Sequence, residues 1–353
     1  MRIAALITAT LFGSVLLAQN YQVRTRVDLV VVPTTVRGDN GRLIAGLTKN
    51  DFTIFEDGVP QTISNFSDDP QRLSAAIVAD TGMGGIAMRR LSPLFISITN
   101  GFSEFDEMAS FRFDHLVFKL SDFTSDHETI EKSFEIVKTI AAKQPATVPA
   151  GNPAPTAPKI IQLLLGALGG GGGSNNGAYG GAAVGGTRPA TETVPTVGSK
   201  RVPPSRVLYD GLYEAAKALE TRPSDRRKII FIISDGQVSG QNDHNFDEIS
   251  RLLLHDNIQL YAVTTDSGAF EGRLGVLGSL ARATGGDSIR GLSQGAMENA
   301  FNRITEEARN QYVLGYQSTN EPRNGLPVVR KIEVKARDPK WNVTFRRGYE
   351  QLP

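Results

Sequence analysis

Lys228-Ile-Ile-Phe-Ile-Ile-Ser-Asp-Gly236 is the stretch on which the fold turns. An unbroken apolar run with no alternation suits a strand buried on both faces, the environment of a parallel sheet covered by helices. Ser-Asp-Gly then ends it as a turn. Upstream, Val207–Leu219 carries helical spacing. Downstream, Phe246–Leu254 reads as a helix, Gln259–Val263 as a strand, and Leu274–Ala283 as a helix ended by Gly285-Gly286. Ser293 caps a last helix with Met297, Phe301, Ile304 and Ala308 on one face. Far upstream the same grammar occurs first at Ser74–Ala79, a second continuous apolar run. Met88, Leu91, Leu94, Phe95 and Ile98 follow at helical spacing, then strands at Ala109–Phe113 and Leu116–Leu120. Ser125 or Asp126 opens a helix that presents Ile130, Phe134, Val137 and Ile140. About six strands alternating with six helices predict an α/β fold, a doubly wound and mostly parallel sheet.

Both ends have a different character. Val23–Val36 and Asp51–Gly58 are β-like, with Asp39-Asn-Gly41 as a turn, and β character returns at Tyr312–Tyr316, Val328–Val334 and Val343–Phe345. Neither end has enough strands for a stable sheet, so the two are expected to pair into one small all-β domain. Between them, 141–203 holds 13 Gly and 8 Pro in 63 residues. That composition cannot bury enough apolar surface to offset its ordering entropy, so a disordered insertion is expected there. Met1-Arg2, the apolar run Ile3–Leu17 and Ala18 before Gln19 have the pattern of a secretory signal peptide. The expected organisation is a leader at 1–18, a β segment at 19–70, a core at 71–310 interrupted by 141–203, and a β segment at 311–353.

Composition narrows the chemistry. The 353 residues are 40% hydrophobic and 21% charged, ordinary for a globular protein. Lys plus Arg is 38 and Asp plus Glu 37, so no global field draws in nucleic acid or an anionic membrane. No cysteine is present, which removes disulfides, thiolate catalysis, Fe–S clusters and Cys-type zinc sites. The four histidines, His115, His127, His244 and His255, have no metal-ligand spacing. No G-x-S-x-G serves a hydrolase. After removal of the leader no integral span is expected, and the protein is placed in the periplasm or outside the cell.

Two carboxylates remain. Asp80 follows one buried strand and Asp235 the other, so a parallel sheet brings both to its carboxyl edge, where ligand crevices form. Together they suit a hard divalent cation. Gly82-Met-Gly84-Gly-Ile-Ala87 also fits a G-x-G-x-x-A fingerprint, a nucleotide-binding alternative against which Asp80 would repel phosphate.

Several motifs in order carry a resemblance. They are Gly46-Leu-Thr-Lys-Asn-Asp-Phe-Thr-Ile-Phe-Glu-Asp-Gly58, Asp122-Phe-Thr-Ser-Asp126, Ile232-Ile-Ser-Asp-Gly236, Leu280-Ala-Arg-Ala-Thr-Gly-Gly286, Asn310-Gln-Tyr-Val-Leu-Gly-Tyr316 and Arg346-Arg-Gly-Tyr349. Across nearly the whole chain it resembles bacterial von Willebrand factor type A-related proteins of the acidobacterial type. The resemblance implies a type A, Rossmann-like core and a non-catalytic, adhesion-type module. It also implies a metal-ion-dependent adhesion site whose cation is completed by an acidic group of the partner. Asp80 and Asp235 fall on ligand positions of that site. The two serine positions of its first motif are Gly82 and Gly84, and its threonine position is Arg206, whose charge would repel a metal if it pointed inward. Ser205 substitutes only if the loop shifts. The expectation is therefore no cofactor, or weakly held Mg²⁺, Mn²⁺ or Ca²⁺. Thr81, Gly82, Met83, Gly84 and Arg206 would contact a protein or envelope polymer. A scaffold module with a dead site is the alternative.

Overall fold

The computed structural model describes residues 29–83, 89, 94–143, 206–238, 242–264, 275–290, 294–321 and 325–352. The expected helix positions Met88 and Leu91, Ser205, Gly84, the expected leader and all of the 141–203 stretch beyond Lys143 lie outside them. The central sheet contains β5 (Leu73–Asp80), β6 (Glu107–Phe113), β7 (Val117–Thr124), β8 (Arg227–Ile233), β9 (Gln259–Thr264) and β10 (Ser288–Arg290). Its order is β10-β9-β8-β5-β6-β7, parallel throughout except for the antiparallel edge β7. From β5 the chain winds outward through β6 and β7, then returns to β8 and winds the other way. This is the doubly wound, type A-like arrangement, and the order reverses between β5 and β8.

The apolar runs explain the layering. Every residue of β5 is buried, and successive side chains enter opposite cores. Ala75, Ile77 and Ala79 pack with Ile229, Phe231 and Ile233 of β8 beneath α1 (Leu94–Gly101), α2 (His127–Lys143) and α6 (Gln294–Arg309). Ala76, Val78, Ile230 and Ile232 face α3 (Leu208–Glu220), α4 (Phe246–His255) and α5 (Val276–Thr284). Helix α2 runs to Lys143, three residues into the stretch assigned by composition to the insertion. Among the described residues no helix is long and apolar enough to cross a membrane.

The flanking unit is a pair of four-stranded antiparallel sheets drawn from both ends of the chain. One has the order β13 (Asn342–Phe345), β1 (Leu29–Arg37), β11 (Tyr312–Gln317), β4 (Ile63–Ser67). The other has β14 (Gly348–Gln351), β12 (Val328–Ala336), β2 (Phe52–Glu56), β3 (Val59–Gln61). Val32 lies opposite Leu314 and Ile54 opposite Val334, joining early strands to late ones in a shared core with Tyr316 and Phe345. Glu56 sits inside this core, fully buried. It accepts hydrogen bonds from the hydroxyls of Tyr316 (2.7 Å), Tyr349 (3.0 Å) and Ser318 (2.6 Å), and from Asn320 Nδ2 (2.6 Å).

The two units are fastened along the amino edge of the parallel sheet. Arg37 is paired with Glu307 of α6, and the Arg347 N–H donates to Ala283 O (2.8 Å). Helix α5 stops at Gly285, whose φ of +79° ends the helix in the left-handed conformation. A Cβ on Gly286 would stand 1.9 Å from Leu260 O. The Gly-Gly pair is thus required both to end the helix and to let β9 lie against it.

Candidate functional site

The ends of β5 and β8 are hydrogen-bonded neighbours, with Ala79 opposite Ile233, so the next residues meet at the carboxyl edge where the strand order reverses. Asp80 is fully buried. Its Oδ2 accepts from Ser234 Oγ (2.7 Å) and its Oδ1 from the Gly82 N–H (3.0 Å), which ties down the turn after β5. Ser234 Oγ accepts in turn from the Gly236 N–H (3.0 Å), at a residue whose φ of +72° favours glycine. Asp235 Oδ1 accepts from the Gln237 N–H (3.0 Å). A Ser-Asp-Gly sequence after a buried strand thus builds a tight polar turn whose side chains all point back to the sheet edge.

The decisive member is Arg206. Its guanidinium points inward, with Nη1 2.8 Å from Asp235 Oδ1 and 2.6 Å from Oδ2. The Arg206 side chain is 4% exposed and that of Asp235 11%, so the pair is desolvated. Gly82 makes room for it: a Cβ there would lie 3.3 Å from Arg206 Cγ and 3.3 Å from Asp80 Oδ1. The space left by the missing side chain at Gly82 is taken up by the large one at Arg206. A cation occupies the edge, but it is the chain's own.

This arrangement does not fit a divalent ion. Such a site needs several oxygens converging within about 2.0–2.6 Å of the metal. Gly82 supplies no hydroxyl, Asp235 is engaged by Arg206, and Asp80 is engaged by Ser234 and Gly82. Among the described residues no three acidic or histidine side chains converge as a metal group. Burial, then the nearby Asp235 charge, pushes the Asp80 carboxyl up to about 7, against the opposing pull of Arg206, Ser234 and Gly82. A carboxyl that holds a proton near neutrality, beside one ion pair, leaves the edge close to electrically balanced.

The expected contact residues have other work. Thr81 is buried, its N–H and hydroxyl both donating to Phe113 O (2.8 and 3.0 Å). Met83 is fully buried and belongs to the core under α1, α2 and α6. Thr81, Gly82, Met83 and Arg206 therefore offer no outward contact surface as they are placed. The tight turn after Asp80 folds the Thr81 and Met83 side chains inward. Of the glycine fingerprint only Gly82 and Met83 are described; the space beside Gly82 is taken by Arg206, and Gly84–Ala87 lie outside the described residues. Asp210 of α3 accepts from the N–H groups of Asp243 (3.2 Å) and His244 (2.9 Å). His244 Nδ1 lies 2.9 Å from it, and Tyr213 stacks on that imidazole at 3.6 Å between ring centres. It anchors the segment before α4.

No protein-family profile matches the chain, and no curated protein does. Among solved structures it is similar in outline to a conserved hypothetical protein, BatB, from Bacteroides thetaiotaomicron. The identity is 10%, the TM-score 0.37, and 67% of this chain and 98% of that one are covered. It is also similar to a von Willebrand factor type A protein from Catenulispora acidiphila, at 9% identity and a TM-score of 0.43, covering 93% of this chain and 74% of that one. Manganese-loaded TRAP from Plasmodium vivax aligns at 9% identity with a TM-score of 0.39, covering 84% and 97%. Nothing about ligand or partner passes from these outlines to this chain.

Proposed function

We propose that the protein is a non-catalytic binding module on a type A-like core, and that it engages a protein or envelope polymer without a metal ion. The observation that carries this reading is the Arg206–Asp235 pair, which puts an internal guanidinium where a divalent cation would be exchanged. A metal bridges two molecules because it keeps a coordination position open for the partner. Here both carboxylates are committed within the chain, which also leaves neither free to act on a substrate as acid or base. The leader at 1–18 supports export to the periplasm or beyond, and the ordered motifs support the finer likeness to the acidobacterial type.

The burial of Thr81, Met83 and Arg206 favours a second reading, a scaffold whose sheet edge has no ligand at all. Capture from an envelope fraction on the immobilised chain, run in EDTA and in millimolar Mg²⁺ or Mn²⁺, separates the outcomes. Equal capture in all buffers is expected for the metal-independent module. Capture lost in EDTA, or micromolar Mn²⁺ binding by calorimetry, overturns it, and no specific capture in any buffer leaves the scaffold.

A further inference from the structure

The Arg346-Arg-Gly-Tyr349 motif plays no part at the carboxyl edge. It lies at the opposite pole, where the amino edge of the parallel sheet meets the β-sandwich. A cleft of about 440 Å³ opens there, lined among others by Gln71, Arg227, Lys228, Asn257, Arg346 and Tyr349. Two of its walls are buried guanidiniums: Arg227 is 4% exposed and Arg346 6%.

Neither has an anionic partner among the described residues. Arg227 donates to Gln71 Oε1 from Nε (3.3 Å) and Nη2 (2.9 Å), and to Gln311 from Nη1. Arg346 donates from Nη1 to Asn257 Oδ1 (3.1 Å) and Leu254 O (3.5 Å), and its buried Nε has no partner. Every acceptor is neutral. The contrast with two other buried arginines is direct: Arg206 is paired with Asp235 and Arg330 with Asp57. Burial lowers both Arg227 and Arg346 to about 10, so each still carries its charge at neutral pH. An uncompensated buried ion costs several kcal/mol, which a fold retains only where something offsets it.

The rest of the lining agrees. Arg226, Arg227, Lys228 and Arg346 stand against two carboxylates, Asp256 and Glu350. Arg226 is neutralised by Glu107 (3.3 Å), and Lys228 Nζ donates to Glu220 O, a carbonyl. Burial holds the Asp256 carboxyl above the usual range, and Lys228 lies near enough to Asp256 and Glu220 to interact with both. Arg227 and Arg346 therefore remain in the lining without a carboxylate in contact. A planar guanidinium with free N–H groups matches the oxygens of a carboxylate or phosphate, and the cleft has the size of a small-molecule site.

We propose that this cleft binds a small molecule bearing an oxyanion, a carboxylate or a phosphate, held by Arg227 and Arg346 between the two units of the fold. The test is calorimetry and thermal melting of the purified chain with inorganic phosphate and with succinate, against sodium chloride at equal ionic strength. Hydrogen exchange maps the response. The expected result is saturable binding of at least one probe at low millimolar Kd or better, a melting rise beyond chloride, and new protection at Leu254–Asn257 and Phe345–Tyr349. Preference for phosphate or for succinate names the source chemistry. Arg346→Gln should weaken that binding at least tenfold, while Lys132→Gln, on the outer face of α2, leaves it unchanged. If Arg346→Gln does not fold, the wild-type titration and protection map still decide. No saturable heat with either probe, protection confined elsewhere, or binding intact in a folded Arg346→Gln chain overturns the proposal.

Discussion

Replacing Arg206 with methionine keeps the length of the side chain and removes the cation that pairs with Asp235. Asp235, 11% exposed, and Asp80, fully buried, are then left facing each other. Removing one partner of a buried pair costs about 3–5 kcal/mol, because the other charge remains desolvated. At about 2–4 °C per kcal/mol for a fold of this size, the melting temperature at pH 8 should fall by roughly 6–20 °C. Asp235→Asn should cost a similar amount by stranding the guanidinium. The double variant Arg206→Met/Asp235→Asn should recover much of the loss, since neither charge is left alone. The loss should be smaller at pH 5, where Asp80 holds its proton and one carboxylate rather than two is stranded. Melting followed by circular dichroism on the four proteins at both pH values measures all of this. A loss below about 1 kcal/mol for Arg206→Met, an equal loss at pH 5 and 8, or a double variant no better than the worse single would refute the internal-cation account.

Asp80→Asn tests the buried carboxyl directly. Its folded pKa of about 7 exceeds the ordinary 3.8, so the group costs nothing at pH 4, and its penalty grows as pH rises through 7 and then levels. The wild type should lose on the order of 4 kcal/mol across that window and the Asn variant should not; parallel slopes in melting-against-pH curves would contradict this. Gly82→Ser forces atoms against Arg206 Cγ and Asp80 Oδ1, and should cost about 1–2 kcal/mol. The same change in an Arg206→Thr background should cost nearly nothing, and a persistent penalty there counts against Arg206 as the occupant of that space. Glu56→Ala strands four donors inside the sandwich and should cost about 3–5 kcal/mol by urea unfolding, with Glu56→Gln milder; an effect under 1 kcal/mol means the cluster is not a unit.

The central strands were legible because burial on both faces writes itself as unbroken apolar sequence, as in Ala75–Ala79 and Ile229–Ile233. The sixth strand, Ser288–Arg290, was not, since three residues hold no period. Val59–Gln61 and Ile63–Ser67 escaped for a related reason: Pro60 and a polar outer face dilute the alternation. Asp80 and Asp235 could be placed at one edge because strand ends follow from strand limits. The direction of Arg206 could not, because it depends on a rotamer and on space lent by another loop. A signal was present nonetheless. Against the pattern that the resemblance implies, glycine at 82 and arginine at 206 are opposite departures in volume, and read together they are consistent with one side chain occupying the space of another. Arg227 and Arg346 gave no such sign: 119 residues apart, each reads as an ordinary strand-end cation until the fold buries both.

An internal guanidinium is not a weaker version of a bound metal, because it changes what the edge can do. A divalent ion is exchangeable and coordinatively open, so a partner carboxylate can complete it. Arg206 is tethered, always charged, and spends Nη1 on both oxygens of Asp235 while its side chain stays 4% exposed. On the proposed reading no open position remains for an acidic partner, and a chelator should not change binding. Attraction for anions has to come from cations that lack a carboxylate of their own. Arg227 and Arg346 are two such buried cations, on the far side of the same sheet, where β1, β14 and the loop after α4 close over them. The charge that the carboxyl edge has neutralised within itself is left uncompensated at the amino edge, and recognition of an acidic ligand follows it there.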